Sequence, residues 1–194
     1  MSSDIILIGP IGSGKSTLGR LLAHGLNLPQ CSMDKRRWVY YEEIDYDSEF
    51  AKQKLETEGF WGMYQYWKPF EAYAVEKLLS ECQGCVIDFG AGHSVYEDRT
   101  LFQRVQQTLA PYPNIFLLLP SPDVEESLQI LNQRNQYVPD GQLNINEHFL
   151  KHPSNYLLAK FIVYTKGKTA EETCNQILQL SAKKSSSFLD ERDK

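Results

Sequence analysis

The stretch Ile5-Ile6-Leu7-Ile8-Gly9-Pro10-Ile11-Gly12-Ser13-Gly14-Lys15-Ser16-Thr17 decides the fold. Its first four residues form an apolar, mostly β-branched run that stops at glycine, the pattern of a strand buried on both faces. The next eight fit G-x-x-x-x-G-K-[ST] through Gly9, Gly14, Lys15 and Ser16. From Lys15 onward Leu18, Leu21, Leu22 and Leu26 fall on one helical stripe, ended by Asn27 and Pro29. Strand, glycine loop and helix are the context the motif needs. The glycines let the backbone curl so that N–H groups converge on phosphate oxygens. The helix N-terminus adds partial positive charge. Lys15 is placed to bridge β- and γ-phosphates, and the Ser16 hydroxyl to ligate Mg²⁺. Gly9, Gly12, Ser13, Gly14, Lys15, Ser16 and Thr17 are therefore the expected nucleotide cradle, with ATP and Mg²⁺ as the expected ligands.

Strand and helix patterns alternate along the rest of the chain. Further strands are expected at Gln30 to Met33, Cys85 to Phe89, Asn114 to Leu119 and Phe161 to Tyr164. Residues 48 to 80 read mostly as helix with a break near Gly59 to Gly62, and Leu101, Val105 and Leu109 mark another helix. Ser121-Pro122-Asp123 opens a helix carrying Val124, Leu128 and Leu131, and Thr169 to Glu172 caps the last one. Alternation of this kind implies a parallel sheet covered on both faces. The expected fold class is α/β, a three-layer P-loop NTPase fold around a central parallel five-stranded sheet. Residues 132 to 148 are polar and aperiodic, which points to a lid. The expected organisation is one P-loop domain over residues 1 to 181 and a polar, frayed tail over 182 to 194.

Composition narrows the class. The 194 residues carry 20 Lys plus Arg against 25 Asp plus Glu, a formal net charge of −5, so a general nucleic-acid binder is disfavoured. The N-terminus has no basic segment followed by an apolar run, and no apolar run approaches a membrane span. A cytoplasmic, non-membrane protein, monomer or homodimer, is the expectation. The four cysteines are too sparse for a disulfide framework. Cys82 and Cys85 have metal or redox spacing, but no second pair or nearby histidine completes a site, so they read as small residues flanking a turn. An Asn-Lys-x-Asp guanine motif and an ABC signature segment are both absent from the sequence.

Beyond the phosphate loop, the chain resembles the shikimate kinase group of small P-loop kinases over roughly residues 4 to 180. That group in turn resembles gluconate and nucleoside monophosphate kinases. Gly12 to Ala23 followed by Leu26-Asn27-Leu28-Pro29 is close to the group's opening. Asp34 matches the second acid of an Asp-x-Asp, which the resemblance makes a substrate-hydroxyl contact and base. Ser32 replaces the first, a Mg²⁺-associated acid. Trp67 to Glu71 lines up with Phe-Arg-x-x-Glu, so Lys68 stands where a substrate-carboxylate arginine is expected. Gly90-Ala91-Gly92 sits at a substrate-binding triple-glycine turn. A second carboxylate-binding arginine is missing after the lid, where Lys151-His152-Pro153 stands. Lysine offers a point charge where guanidinium binds a carboxylate bidentately, so these two departures weaken recognition of a carboxylated ring.

The resemblance implies an ATP- and Mg²⁺-dependent kinase that transfers the γ-phosphoryl group to a hydroxyl of a small metabolite. Lys15, Asp34 and Arg134 are the implied catalytic residues, with Arg134 closing from the lid. Asp34, Lys68, Gly90, Ala91 and Gly92 are the implied acceptor contacts. Ser16 and Asp88 are the expected metal side, since Asp88 ends an apolar strand as a Walker B acid does. Plainer readings stand beside these: Asp88 and Asp34 as turn residues, Arg134 as a solvated helix-end arginine, Lys35-Arg36-Arg37 as a solvated run or an anion-attracting rim, and His93 as a loop histidine. Twelve of the 23 aromatic residues lie between Trp38 and Tyr73, where even spreading puts about four. That block suits stacking on an acceptor, a partner patch or a subdomain core. A nucleoside or nucleotide kinase, and an ATP-binding regulatory protein without transfer activity, are the alternatives.

Overall fold

A computed structural model describes residues 4–134 and 144–190, with 183–190 as backbone alone. Among the described residues five strands form one sheet: β1 (Ile5–Ile8), β2 (Gln30–Ser32), β3 (Val86–Asp88), β4 (Ile115–Leu119) and β5 (Phe161–Tyr164). Their order is β2-β3-β1-β4-β5, and every pairing is parallel. The register places Leu7 beside Asp88 and Ser32 beside Asp88. The C-terminal ends of β1, β2 and β3 thus meet at one edge, where ligands bind in open α/β sheets.

The helices are α1 (Lys15–Leu26), α2 (Met33–Glu42), α3 (Ser48–Glu81), α4 (Arg99–Leu109), α5 (Val124–Arg134), α6 (Ile145–Lys151), α7 (Pro153–Leu158) and α8 (Ala170–Asp190), with a 3-10 turn at Ala91–Ser94. They cover both faces of the sheet. Ile6 and Ile8 of β1 face a cluster with Met33, Val75, Leu78 and Leu131. Ile5 and Leu7 face the other cluster, with Leu18, Leu22, Val163 and Ile177. Alternation along a strand sends neighbours to opposite layers, and two layers of helix require both sets to be apolar. The three-layer α/β expectation is met.

Several boundaries differ from the sequence expectations. Met33 opens α2 instead of ending β2. The expected lid over 132 to 148 is helical at both described ends. Asn132 to Arg134 close α5, and Asn144 caps α6 by accepting a hydrogen bond of 3.2 Å from the Glu147 N–H. Polar side chains hid that cap, because asparagine is favoured at helix N-termini as well as in loops. Residues 135–143 of the expected lid lie outside the described residues. Helix α8 continues past the expected boundary at 181.

Helix α3 breaks where expected. Gly59 has φ 70° and ψ −169°, a conformation open essentially to glycine alone, and it redirects the helix that follows. Pro69 sits inside the second half of α3. The sequence reading left Cys82 and Cys85 without a third ligand; the sheet supplies one. The sulfurs of Cys31, Cys82 and Cys85 all lie within 4.8 Å of one another. Burial pushes the Cys82 thiol up to about 11 and the Cys85 thiol further up, so both stay protonated.

Candidate active site

The phosphate loop joins β1 to α1. Gly9, Gly12 and Gly14 take φ of 137°, 77° and 97°, so the loop turns through the left-handed region at each glycine. A Cβ on Gly9 would meet the Leu118 carbonyl at 2.6 Å, so the residue is also fixed by packing. Lys15 is buried and donates to the carbonyls of Gly9 and Pro10 at 2.8 Å each. Burial pushes its ammonium down to about 8, against the opposing pull of Asp34 and Asp88. Ser13 is buried, with no hydrogen-bond partner for its hydroxyl among the described residues. Arg134, at the end of α5, donates to the Gly12 carbonyl at 3.0 Å. The structure therefore brings this arginine onto the loop.

Asp88 ends β3 beside the loop. Its Oδ1 accepts from Ser16 Oγ at 2.8 Å and from Ser32 Oγ at 3.0 Å. Its Oδ2 accepts from Gln30 Nε2 at 2.7 Å. The sequence reading placed Ser16 and Asp88 on one metal side, and they are in direct contact. Gln30 and Ser32 were missed as partners, since only the β2–β3 register reveals them. A carboxylate and a hydroxyl converging beside a phosphate cradle are hard oxygen donors, the set that suits Mg²⁺.

The 90–92 turn lies next to these groups. A Cβ on Gly90 would come within 2.7 Å of Asp34 Oδ1 and 2.7 Å of His93 Nδ1. One on Gly92 would clash with the Glu71 carboxylate. Both glycines are therefore required for close approach, while Ala91, between them, has room to pack its methyl against the Tyr64, Val95, Ile145 and Phe149 cluster. His93 is fully buried, with Nε2 at 3.3 Å from the Tyr41 hydroxyl. Burial pushes it down to about 3, so the ring is neutral.

Lys68 is turned into the protein interior. Its ammonium is buried, pairs with Glu71, and donates to the carbonyls of Gly92 at 3.1 Å and Val95 at 3.0 Å. With its three donors engaged, it fastens α3 to the glycine turn. The expectation of a Lys68 carboxylate contact gives way to this anchoring position.

One cavity of about 610 Å³ holds the site together. Gly12, Gly14, Lys15, Ser16 and Thr17 line the phosphate end. The remainder is built from three helical stripes together with Ala91 and Gly92 of the 3-10 turn. Phe60, Tyr64, Trp67 and Glu71 line it from α3, following the i, i+4, i+7 spacing of one helix face after the Gly59 break. Asp34 and Arg37 line it from α2, and Ile145 and Phe149 from α6. Part of the aromatic block is thus cavity wall and part is core, since Tyr40, Tyr41 and Phe70 are buried in the main cluster. Arg37 was read only as a member of a basic run. Its i, i+3 spacing from Asp34 was the signal that places it at the site.

No family model matches the chain. A stretch of 95 residues is 62% identical to the shikimate kinase of Thioalkalivibrio sulfidiphilus, covering 47% of this chain. That match spans 42% of the relative's length, less than half of it. The shikimate kinase of Persephonella marina is 26% identical over 175 residues, covering 90% of this chain and 96% of that protein. Among solved structures, a shikimate kinase from Acinetobacter baumannii in complex with shikimate superposes with a TM-score of 0.64 at 23% identity, covering 93% of each chain. No helix among the described residues is long and apolar enough to cross a membrane.

Proposed function

We propose that this chain, built on the shikimate kinase-like P-loop kinase fold, is a kinase that transfers the γ-phosphoryl group of Mg-ATP to a hydroxyl of a small metabolite. The observation that carries the reading is the continuity of one cavity from the phosphate loop to Asp34. A donor phosphate held at one end meets an acceptor hydroxyl at the other without leaving the protein.

Each residue has a task that its position supports. The loop N–H groups and Lys15 hold the phosphates and take up their charge. Ser16, with Asp88 behind it, is the oxygen side for Mg²⁺, which when bound neutralises the phosphate oxygens. Arg134, already on the Gly12 carbonyl, is placed to add positive charge at the phosphate end. Asp34 is the acid placed to accept the proton of the acceptor hydroxyl. Gly90 and Gly92 let the turn approach Asp34 and Glu71 closely enough to close the acceptor end.

The test is ADP release with Mg-ATP and a panel of shikimate, gluconate, sugars and nucleoside monophosphates. A kinase shows acceptor-dependent release above the water background. Thermal stabilisation by Mg-ATP with no acceptor raising ADP release would leave a nucleotide-binding protein without transfer activity.

A further inference from the structure

We propose that Glu97, His148 and His152 form a binding site for a divalent transition-metal ion of the Zn²⁺ type, outside the cavity described above. The proposal is independent of the kinase reading.

Three segments supply the ligands. Glu97 lies between the 3-10 turn and α4, His148 is on α6, and His152 stands at the bend from α6 into α7. One ligand atom from each lies within 4.8 Å of the other two. His148 Nε2 and Glu97 Oε1 are already 2.7 Å apart. Tetrahedral zinc binds imidazole nitrogen and carboxylate oxygen at about 2.0–2.2 Å, which sets the ligand atoms about 3.3 Å from one another. The observed separations bracket that spacing, so small side-chain rotations suffice to close the three groups on one ion.

The backbone holds the two rings on one side. His148 and His152 are four positions apart, one helical turn. The His152 N–H still bonds the His148 carbonyl at 3.0 Å, and the ring centroids are 5.2 Å apart. His152 Nδ1 accepts the Ser154 N–H at 3.2 Å, so ligation by this ring exchanges the α7 cap for a metal bond.

The surroundings are those of a supported ligand set. The Tyr64 hydroxyl donates to Glu97 Oε1 at 3.1 Å, and Gln65 Nε2 donates to Oε2 at 3.3 Å. Outer hydrogen bonds of this kind orient a metal-binding carboxylate. Trp61 packs its ring edge-on to His148, with centroids 5.3 Å apart. The His148 and Glu97 side chains are 17% and 25% exposed, open enough to admit an ion and screened enough to hold it. Two imidazoles select Zn²⁺ over Mg²⁺ and Ca²⁺, which take oxygen ligands. Three protein ligands leave a fourth position for water.

The ion would act as a staple. It joins α6 to the segment before α4 across 51 positions of sequence. Ile145 and Phe149 of the same helix form cavity wall, so the staple would hold that wall from behind.

The experiment uses the untagged full chain, stripped with EDTA and free of nucleotide. Calorimetric titration with Zn²⁺ should give one ion per chain with a Kd of about 10 µM or tighter. Tm should rise by at least about 5 °C at a hundred-fold excess of Zn²⁺ over Kd. Co²⁺ should give the visible bands of a four-coordinate nitrogen and oxygen site, with no intense sulfur-to-metal band in the near-ultraviolet. Glu97→Gln, His148→Gln and His152→Gln, each melted first in EDTA to show that it folds, should each weaken Zn²⁺ binding at least ten-fold. Cys82→Ser should leave it unchanged. No binding by the wild type at 100 µM Zn²⁺, or a thiolate band with Co²⁺, overturns the proposal without need of any variant. So does an affinity that survives the histidine changes, or one that millimolar Mg²⁺ abolishes. None of these outcomes bears on ADP release, so the kinase reading stands or falls separately.

Discussion

Ser16 Oγ donates to Asp88 Oδ1 over 2.8 Å, joining the first turn of α1 to the end of β3 across 72 positions of sequence. The contact ties the phosphate loop to the strand that borders it. Asp88 also takes Ser32 and Gln30, so its carboxylate is held by three donors before any ion arrives. Fixed oxygens favour a small, hard cation with strict geometry. Asp88→Asn keeps the shape and removes the charge. Calorimetric titration of this variant with ATP should show at least a ten-fold loss of affinity in Mg²⁺ and little change in EDTA. Equal losses in both would mean that Asp88 acts only through the loop's structure.

Lys15 gives the site a pH dependence with a definite sign. Burial holds its ammonium at about 8 in the free protein, well below 10.5. The phosphates need the charged form, so above pH 8 nucleotide binding must take up a proton. Affinity for Mg-ATP should therefore fall as pH rises, by up to about ten-fold per unit above the free protein's value. Titrations between pH 7 and about 9.5 check it, and proton uptake is visible as a buffer-dependent heat. An affinity flat across that range would show that Lys15 stays charged in the free protein.

The glycine loop between β1 and α1 was legible in the sequence because its determinants are local. Glycines at fixed offsets, a strand before and a stripe of leucines after suffice to place Gly9 to Thr17. Asp88 was legible for the same reason, at the end of an apolar run. The acceptor end was not, because its side chains are placed by long-range packing. Lys68 sits at a position that resembles a substrate contact, yet Glu71 and the 92–95 backbone draw its ammonium inward. Phe60, Tyr64, Trp67 and Glu71 share one face of α3 after the Gly59 break, and their mixed polarity hides the stripe. Cys31 joins Cys82 and Cys85 only through the β2–β3 pairing.

The Lys68–Glu71 pair makes a stability prediction. Both side chains are almost wholly buried, at 3% and 4% exposure. Removing one partner leaves an uncompensated charge in a low-dielectric interior, which costs about 3–5 kcal/mol. Lys68→Met should be destabilised by that order in urea denaturation. Lys68→Met combined with Glu71→Met removes both charges and should recover at least half of the loss, since an apolar pair needs no compensation. A double variant less stable than the single would show that groups other than Lys68 stabilise Glu71 in this site.

His93 makes the opposite kind of prediction, one read against pH. The ring is fully buried under the glycine turn and held at about 3, whereas an exposed histidine titrates near 6.5. Between those values the unfolded imidazole binds a proton that the folded one refuses. Unfolding then takes up a proton, so stability is complete above 6.5 and drains away as pH falls toward 3. The slope from this one group is about 1.4 kcal/mol per pH unit. His93→Gln keeps a polar side chain facing Tyr41 and does not titrate. Urea midpoints measured between pH 7 and about 4.5 should fall more steeply for the wild type than for the variant, by roughly that slope. Parallel curves would mean that His93 is already protonated in the fold, with Glu71, 3.9 Å from Nδ1, supplying the counter-charge.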